Sequence, residues 1–72
     1  MRVMVTLAGQ TMAESTRVPE DYTVRAVLEE CYALNPNKVD VFVNNNLVHD
    51  LDQELSDGDN IRLMSRKHSS GN

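Results

Sequence analysis

The sequence has one cysteine, no tryptophan and only three other aromatic residues in its 72 positions. Cys31 cannot form an internal disulfide, and it has neither a second thiol nor a nearby histidine with which to bind zinc. We therefore expect no metal site and a fold that is held together by packing alone. Cys31 follows Val24, Val27 and Leu28 at helical spacing, which predicts a buried structural thiol.

Long apolar runs and an excess of positive charge are also absent. No stretch approaches the roughly 18 to 20 apolar residues that span a bilayer, and no basic N-terminal segment precedes an apolar run. We expect a cytoplasmic protein without membrane contacts. The net charge of −4 argues against nucleic acid as a partner, because proteins that bind phosphate backbones cluster Lys and Arg.

The N-terminal half predicts a hairpin followed by a helix. Residues 2–7 alternate between apolar and polar side chains, and residues 12–18 are compatible with a returning strand after a turn at Gly9. The hydroxyl of Thr23 can cap a helix that begins at Val24. A proline at position 36 disfavours helical backbone before it, so the helix is predicted to cover residues 24–34.

The C-terminal half predicts a second hairpin and a last strand. Residues 39–43 alternate, three asparagines at 44–46 can supply positive φ, and residues 47–48 form a short strand. The acids at positions 50, 52 and 54 are spaced like the start of a calcium loop. Leu55 stands where that loop requires glycine, so a solvated loop is the better interpretation. Residues 60–64 predict the last strand.

One domain therefore covers residues 1–65. Residues 66–72 contain no apolar side chain, and we expect them to form a flexible tail.

The order of these elements indicates a mixed sheet of four to five strands with one helix packed on one face, since strand-helix-strand crossovers are right-handed. The residues resemble the ThiS/MoaD sulfur carriers and ubiquitin-related modifiers, which implies an α+β, ubiquitin-like β-grasp fold. The segments that carry the resemblance are Thr23-Val24, Leu28-Glu29-Glu30, Val41-Phe42-Val43-Asn44 and Leu55-Ser56-Asp57-Gly58-Asp59-Asn60-Ile61.

The resemblance implies a carrier whose C-terminal tail is activated by an ATP-dependent adenylating enzyme, with no cofactor bound by the carrier itself. The tail would then deliver sulfur to an acceptor or join a target protein. This family ends in two glycines, whereas this sequence ends in Gly71 and Asn72. Three accounts of this ending stay open: a protease removes Asn72, the tail is active as written, or carrier chemistry has been lost.

A second candidate site is the sheet face opposite the helix. If the valines of the strands point to the helix, then Met4, Phe42, Arg62 and Met64 point away from it. In the strand order that the resemblance implies, we expect Met4, Phe42 and Met64 to be lateral neighbours in one partner-binding patch. Two tail residues add a short basic run to this candidate site, Arg66 and Lys67.

Two functions follow from these sites. The first is a sulfur carrier or protein modifier, and the alternative is a non-conjugating binding module or small regulatory subunit that uses the open sheet face. We expect no catalytic residues, because no nucleophile, base and orienting group can be placed together. The chain is predicted to be a monomer alone and a partner of enzymes.

Overall fold

A computed structural model describes residues 1–66. Strands β1 (Arg2–Thr6) and β2 (Glu14–Arg17) form the predicted N-terminal hairpin. The second strand is shorter than the predicted 12–18, because the connection that contains Gly9, at φ 82°, extends to position 13. Met12 in this connection is 79% exposed.

The helix begins as predicted. The Thr23 hydroxyl accepts a hydrogen bond from the Ala26 backbone N–H at 3.1 Å, which satisfies one of the free donors of the first turn. Helix α1 (Val24–Ala26) continues as a π-helical segment, Val27–Cys31.

The predicted extension of the helix to residue 34 is wrong. Ala33 adopts φ 53°, a left-handed conformation that ends a helix. The Leu34 N–H then bonds back to the Leu28 carbonyl at 2.8 Å. Proline at 36 instead starts a short 3-10 turn, Pro36–Lys38.

The burial of Cys31 is also predicted wrongly, since the residue is exposed. Val24, Val27 and Leu28 are fully buried, as their spacing indicates. The π-helical segment has more residues per turn than an α-helix, because its hydrogen bonds run from i to i+5. Position 31 therefore falls off the apolar stripe that a regular α-helical period would give it.

The second hairpin and the last strand lie close to their predicted positions. Strand β3 (Val39–Val43) turns through Asn44 and Asn45, at φ 53° and 71°, into β4 (Asn46–Leu47). Strand β5 (Asn60–Ser65) completes a five-stranded mixed sheet in the order β2-β1-β5-β3-β4. Strand β5 is parallel to β1 and antiparallel to β3, so the last strand lies between the first and the third as predicted.

The turn before β5 has a structural role that explains part of its sequence signature. Gly58, at φ 88°, donates its N–H to the Arg2 carbonyl at 2.8 Å, a conformation that glycine adopts without strain. The Asp59 carboxylate accepts hydrogen bonds from the Ser56 N–H at 2.7 Å and the Asn44 side chain at 2.9 Å. These bonds join the turn to both β1 and the β3-β4 hairpin.

The core lies between the helix and one sheet face. Its buried side chains come mainly from the strands and from the helical segment, and Leu55 adds one from the loop before β5. The buried apolar residues are Val3, Val5, Val18, Val24, Val27, Leu28, Val41, Val43, Leu55, Ile61 and Leu63.

Candidate partner-binding face

The sheet face opposite the helix carries the predicted partner-binding residues. Strand residues alternate between the two faces. The valines buried on the helix side are Val3 and Val5 of β1 and Val41 and Val43 of β3. The register then assigns the remaining strand positions to the other side. We call this side the open face, and its side chains are Arg2, Met4, Thr6, Ser15, Arg17, Asp40, Phe42, Leu47, Asn60, Arg62 and Met64, with Arg66 at its rim.

Phe42 lies on β3, between the central strand β5 and the edge strand β4. It lies opposite Arg62 of β5 on one side and opposite Leu47 of β4 on the other. The Arg62 guanidinium carbon is 6.0 Å from the centroid of the Phe42 ring, within the range of a cation-π contact. The Phe42 side chain is half-buried.

The predicted patch of two methionines beside Phe42 is only half correct. Met64 lies opposite Asp40 and is therefore a diagonal neighbour of Phe42, within reach across an antiparallel pair. Met4 lies opposite Asn60, four residues before Met64 on β5, a separation of roughly 13 Å along the strand. Met4 is therefore not a lateral neighbour of Phe42, and Arg62 lies between them.

Leu47 belongs to the open face and was missed by sequence reasoning. Its side chain and that of Met64 are each 47% exposed, and Phe42 lies between their two strands. A two-residue strand offers no alternation from which a face could be assigned. The open face thus carries an apolar patch on its β3, β4 and β5 half, formed by Phe42, Leu47 and Met64.

Arg66 is bound to the domain at the point where the predicted tail begins. Its N–H donates to the Lys38 carbonyl at 3.0 Å, and its guanidinium forms an ion pair with Asp40 at 3.0 Å. The guanidinium also donates to the carbonyls of Asn37 and Val39 at 3.3 and 3.4 Å. The chain therefore leaves the sheet beside the open face. Three predicted site residues, Lys67, Gly71 and Asn72, lie outside the described residues.

A shallow groove of about 370 Å³ lies beside Arg66, at the edge of β3. Val39, Val48 and Leu51 contribute apolar surface to it, and His49 is the histidine in its lining. No serine, threonine, cysteine or lysine of residues 1–66 lines this groove, and its carboxylate, Asp40, is paired with Arg66 at 3.0 Å. Within the same part of the chain, no group of three or more His, Cys, Asp or Glu side chains is arranged to hold a metal ion.

The surface of the helix carries a separate polar cluster. The Tyr22 hydroxyl donates a hydrogen bond to the Glu30 carboxylate, and this bond, with the negative charge beside it, raises the pKa of Tyr22 to about 12. Desolvation and the Glu30 charge also raise the pKa of the Cys31 thiol. A raised pKa lowers the thiolate fraction, so Cys31 is a poor nucleophile despite its exposure.

The sequence of the chain matches the profile of the ThiS family over residues 3–65. The chain belongs to the ThiS family. A comparison with curated protein sequences gives no significant match.

Two solved structures share the fold of this ThiS-family chain. One is a complex of subunits 1 and 2 of molybdopterin-converting factor from Helicobacter pylori, with 25% identity and a TM-score of 0.65 over 93% of this chain and 96% of that one. The other is a ubiquitin-like protein from the archaeon Caldiarchaeum subterraneum, with 22% identity and a TM-score of 0.63 over 93% of this chain and 97% of that one. The predicted β-grasp fold is confirmed.

Membership of the ThiS family also confirms that the chain is a sulfur-carrier type of protein and not an enzyme. Within residues 1–66, no helix has the length and apolar character needed to cross a membrane.

Proposed function

We propose that the tail of this ThiS-family protein is activated by an ATP-dependent adenylating enzyme and then carries sulfur to an acceptor or joins a target protein. The observation that carries the proposal is the family match over residues 3–65. The carrier itself binds no cofactor, and ATP is consumed by its enzyme. We place this reaction in the cytoplasm.

The position of Arg66 supports this proposal. Its contacts with Asp40 and the Lys38 carbonyl put the start of the tail at the rim of the open face. An enzyme that holds the open face therefore receives the tail directly. Binding energy from the face then serves to position the terminal carboxylate against ATP, as contacts remote from a reacting atom do in other enzymes.

Gly71 is suited to the reacting end of the tail. Without a Cβ atom, glycine enters a narrow channel and leaves its carbonyl open to attack. Its carboxylate would attack the α-phosphate of ATP, release pyrophosphate and form an acyl-adenylate. A sulfur donor would then displace AMP. Asn72 is bulkier, and a side-chain amide of asparagine can close a five-membered ring on an activated carbonyl of its own residue, so we expect a chain that ends at Gly71 to react better.

The test is incubation with ATP, a sulfur donor system and each candidate adenylating enzyme of the same genome, followed by mass spectrometry of the intact protein. The chain ending at Asn72, the chain ending at Gly71 and a matched Gly71→Ala variant of the shorter chain are compared. Replacement of one oxygen by sulfur in either of the first two, with a large loss in the alanine variant, is the expected result. Unchanged mass of both the chain ending at Asn72 and the chain ending at Gly71 with every enzyme contradicts the proposal.

The alternative function is a binding module that acts through the open face without conjugation. The exposed Leu47 and Met64 favour it, because neither the fold nor the core requires apolar side chains there. In that case the mass stays unchanged while a stable complex with a partner still forms, and Phe42→Ala weakens that complex.

A further inference from the structure

Strand β2 is an edge of the sheet. In the order β2-β1-β5-β3-β4, it has a neighbouring strand on its β1 side only. Glu14, Ser15 and Arg17 of this strand are exposed, and the strands of residues 1–66 leave its outer side uncovered. A sheet edge of this kind presents backbone N–H and C=O groups on which another chain can form a strand.

The hydrogen bonds at the start of β1 show which groups of β2 point outward. The Met1 ammonium donates to the Val18 carbonyl at 2.7 Å, and the Val18 N–H donates to the Met1 carbonyl at 2.8 Å. Bonded and non-bonded pairs alternate along an antiparallel ladder, and the next pair is Arg2 with Arg17. The backbone groups of Ser15 and Arg17 therefore point away from β1. Within residues 1–66, they form no hydrogen bond with another element.

The free edge of β2 is short and has defined ends. Pro19 is the next position whose N–H would point outward, and proline has none. The connection before Glu14 is not part of a strand, so the edge stops there as well. Only the outward groups of Ser15 and Arg17 remain, which suits one short extended segment of about five residues and not a long growing sheet.

Positive charge lies beside this edge on the open face. Arg2 and Arg17 are directly opposite each other, and like charges in that position destabilise a sheet. The Arg2 guanidinium donates a hydrogen bond to the Ser15 hydroxyl at 3.0 Å, which holds it beside β2. Asp57 accepts from the backbone N–H of Arg2 at 2.8 Å, and neither arginine forms an ion pair among residues 1–66. A carboxylate on an added strand would neutralise both guanidinium groups.

The helix side of the same edge offers a contact for an apolar side chain. Thr16 is opposite the buried Val3 and so points to this side. Its hydroxyl lies 2.8 Å from the Tyr32 hydroxyl, and the Tyr32 side chain is partly buried against the core. Successive side chains of a strand point to opposite faces. In an added strand, the neighbour of the carboxylate residue would therefore lie beside Tyr32.

We propose that the outer edge of β2 binds an extended segment of a partner protein as an added strand. An Asp or Glu of that segment pairs with Arg2 and Arg17, and the adjacent apolar residue packs beside Tyr32. A second copy of this chain fits less well, because its β2 would bring another Arg17 and no carboxylate to the open side of the sheet.

This site is separate from the tail. Arg66 is bound to Asp40 and the Lys38 carbonyl next to β3, and β1 and β5 lie between β2 and β3. Three strand spacings correspond to roughly 14 Å. A partner bound at β2 therefore holds the protein while its tail is free to react, and the site goes beyond the proposed carrier function without depending on it.

The test is titration of the isotope-labelled full chain with capped peptides of about nine residues that alternate valine and threonine. Matched peptides carry glutamate, glutamine or lysine in place of the central threonine, and binding is followed by NMR. We expect the glutamate peptide to bind most tightly and to protect the Ser15 and Arg17 amides from hydrogen exchange. Its preference over the lysine peptide should be about ten-fold or more at low salt and smaller at high salt.

Variants separate the charge from the backbone pairing. Arg2→Gln/Arg17→Gln should abolish the preference for glutamate, whereas Arg25→Gln, which removes the same kind of side chain from the helix, should keep it. Arg17→Glu should favour the lysine peptide. Ser15→Pro removes an outward N–H and no bond to β1, so it should weaken binding of every peptide by about five-fold or more.

The other outcomes overturn the proposal. Absence of binding by every peptide, or equal binding of the glutamate and lysine peptides, excludes an acidic strand as the partner. Shift changes confined to Phe42, Leu47 and Met64 would place the peptides on the open face and not at the edge. Dimers in sedimentation that Ser15→Pro dissolves would make a second copy the occupant. Thermal unfolding identifies misfolded variants, and the arginine variants decide if Ser15→Pro unfolds. None of these results bears on activation of the tail, because no adenylating enzyme is present.

Discussion

The Arg62 guanidinium carbon lies 6.0 Å from the centroid of the Phe42 ring, on the neighbouring strand and directly opposite it in register. The Phe42 ring, which points away from the core, gains a cation-π contact with the guanidinium. The contact also holds Arg62 near the centre of the open face. One pair thus joins the apolar and the charged parts of the open face. Its members are separated by twenty positions in the chain.

Met64 should contribute to partner binding, whereas an equally hydrophobic methionine away from the sheet should not. Met64→Glu places a negative charge beside Phe42 and should weaken binding to the adenylating enzyme by at least about 1 to 2 kcal/mol, a typical loss for a central contact. Met12→Glu is the matched control, because Met12 is exposed in the β1-β2 connection. Titration calorimetry measures both, and equal affinities would exclude Met64 from the interface.

Replacement of alanine by glycine should have opposite effects at two positions of the helical region. Ala33 has φ 53°, a left-handed backbone conformation that is strained for residues with a Cβ atom and unstrained for glycine. Ala33→Gly should therefore stabilise the fold by about 0.5 to 1 kcal/mol. Ala26 lies within α1, where glycine costs about 1 kcal/mol. Urea unfolding followed by circular dichroism gives both values. A loss of stability in both variants would contradict the assigned end of the helix.

Leu28 should be among the most sensitive positions of the fold. Its side chain is fully buried, so Leu28→Ala removes packing and leaves a cavity, with an expected loss of about 2 to 5 kcal/mol. A small domain has only about 5 to 15 kcal/mol of stability in total. Leu47→Ala is the control on the open face and should change stability by less than about 0.5 kcal/mol. Similar unfolding midpoints for the two variants would show that the core is assigned wrongly.

Tyr22 should ionise at unusually high pH. The hydrogen bond to Glu30 raises its pKa from 10.0 to about 12, so its contribution to stability is present below pH 10 and is lost as the pH rises toward 12. In a Tyr32→Phe background, ultraviolet absorbance of the phenolate follows Tyr22 alone. Glu30→Gln should shift the titration back toward the ordinary value, while Glu29→Gln should not. An unshifted midpoint in the parent protein would rule out the hydrogen bond.

Most of the secondary structure could be predicted from local patterns in the sequence. Alternation placed β1, β3 and β5, and the Thr23 hydroxyl marked the start of the helix, because both signals arise from neighbouring residues. The family motif then led from the order of elements to the β-grasp fold, which the ThiS match and the solved structures confirm. The end of the helix depended on a left-handed alanine, for which the sequence carries no reliable sign.

The register of the strands and the neighbours of each open-face side chain could be determined only from the tertiary structure. Which side chains of the open face touch is set by how β5 aligns with β1 and β3, and a shift of two residues would keep every face assignment while changing every neighbour. That is why Met4 was wrongly grouped with Phe42. The sequence by itself determined the order of the elements and the two sides of the sheet through periodicity along the chain, and its resemblance to the ThiS/MoaD carriers implied the β-grasp fold. Only the pairing of distant strands decided which side chains meet on the open face, such as Arg62 and Phe42.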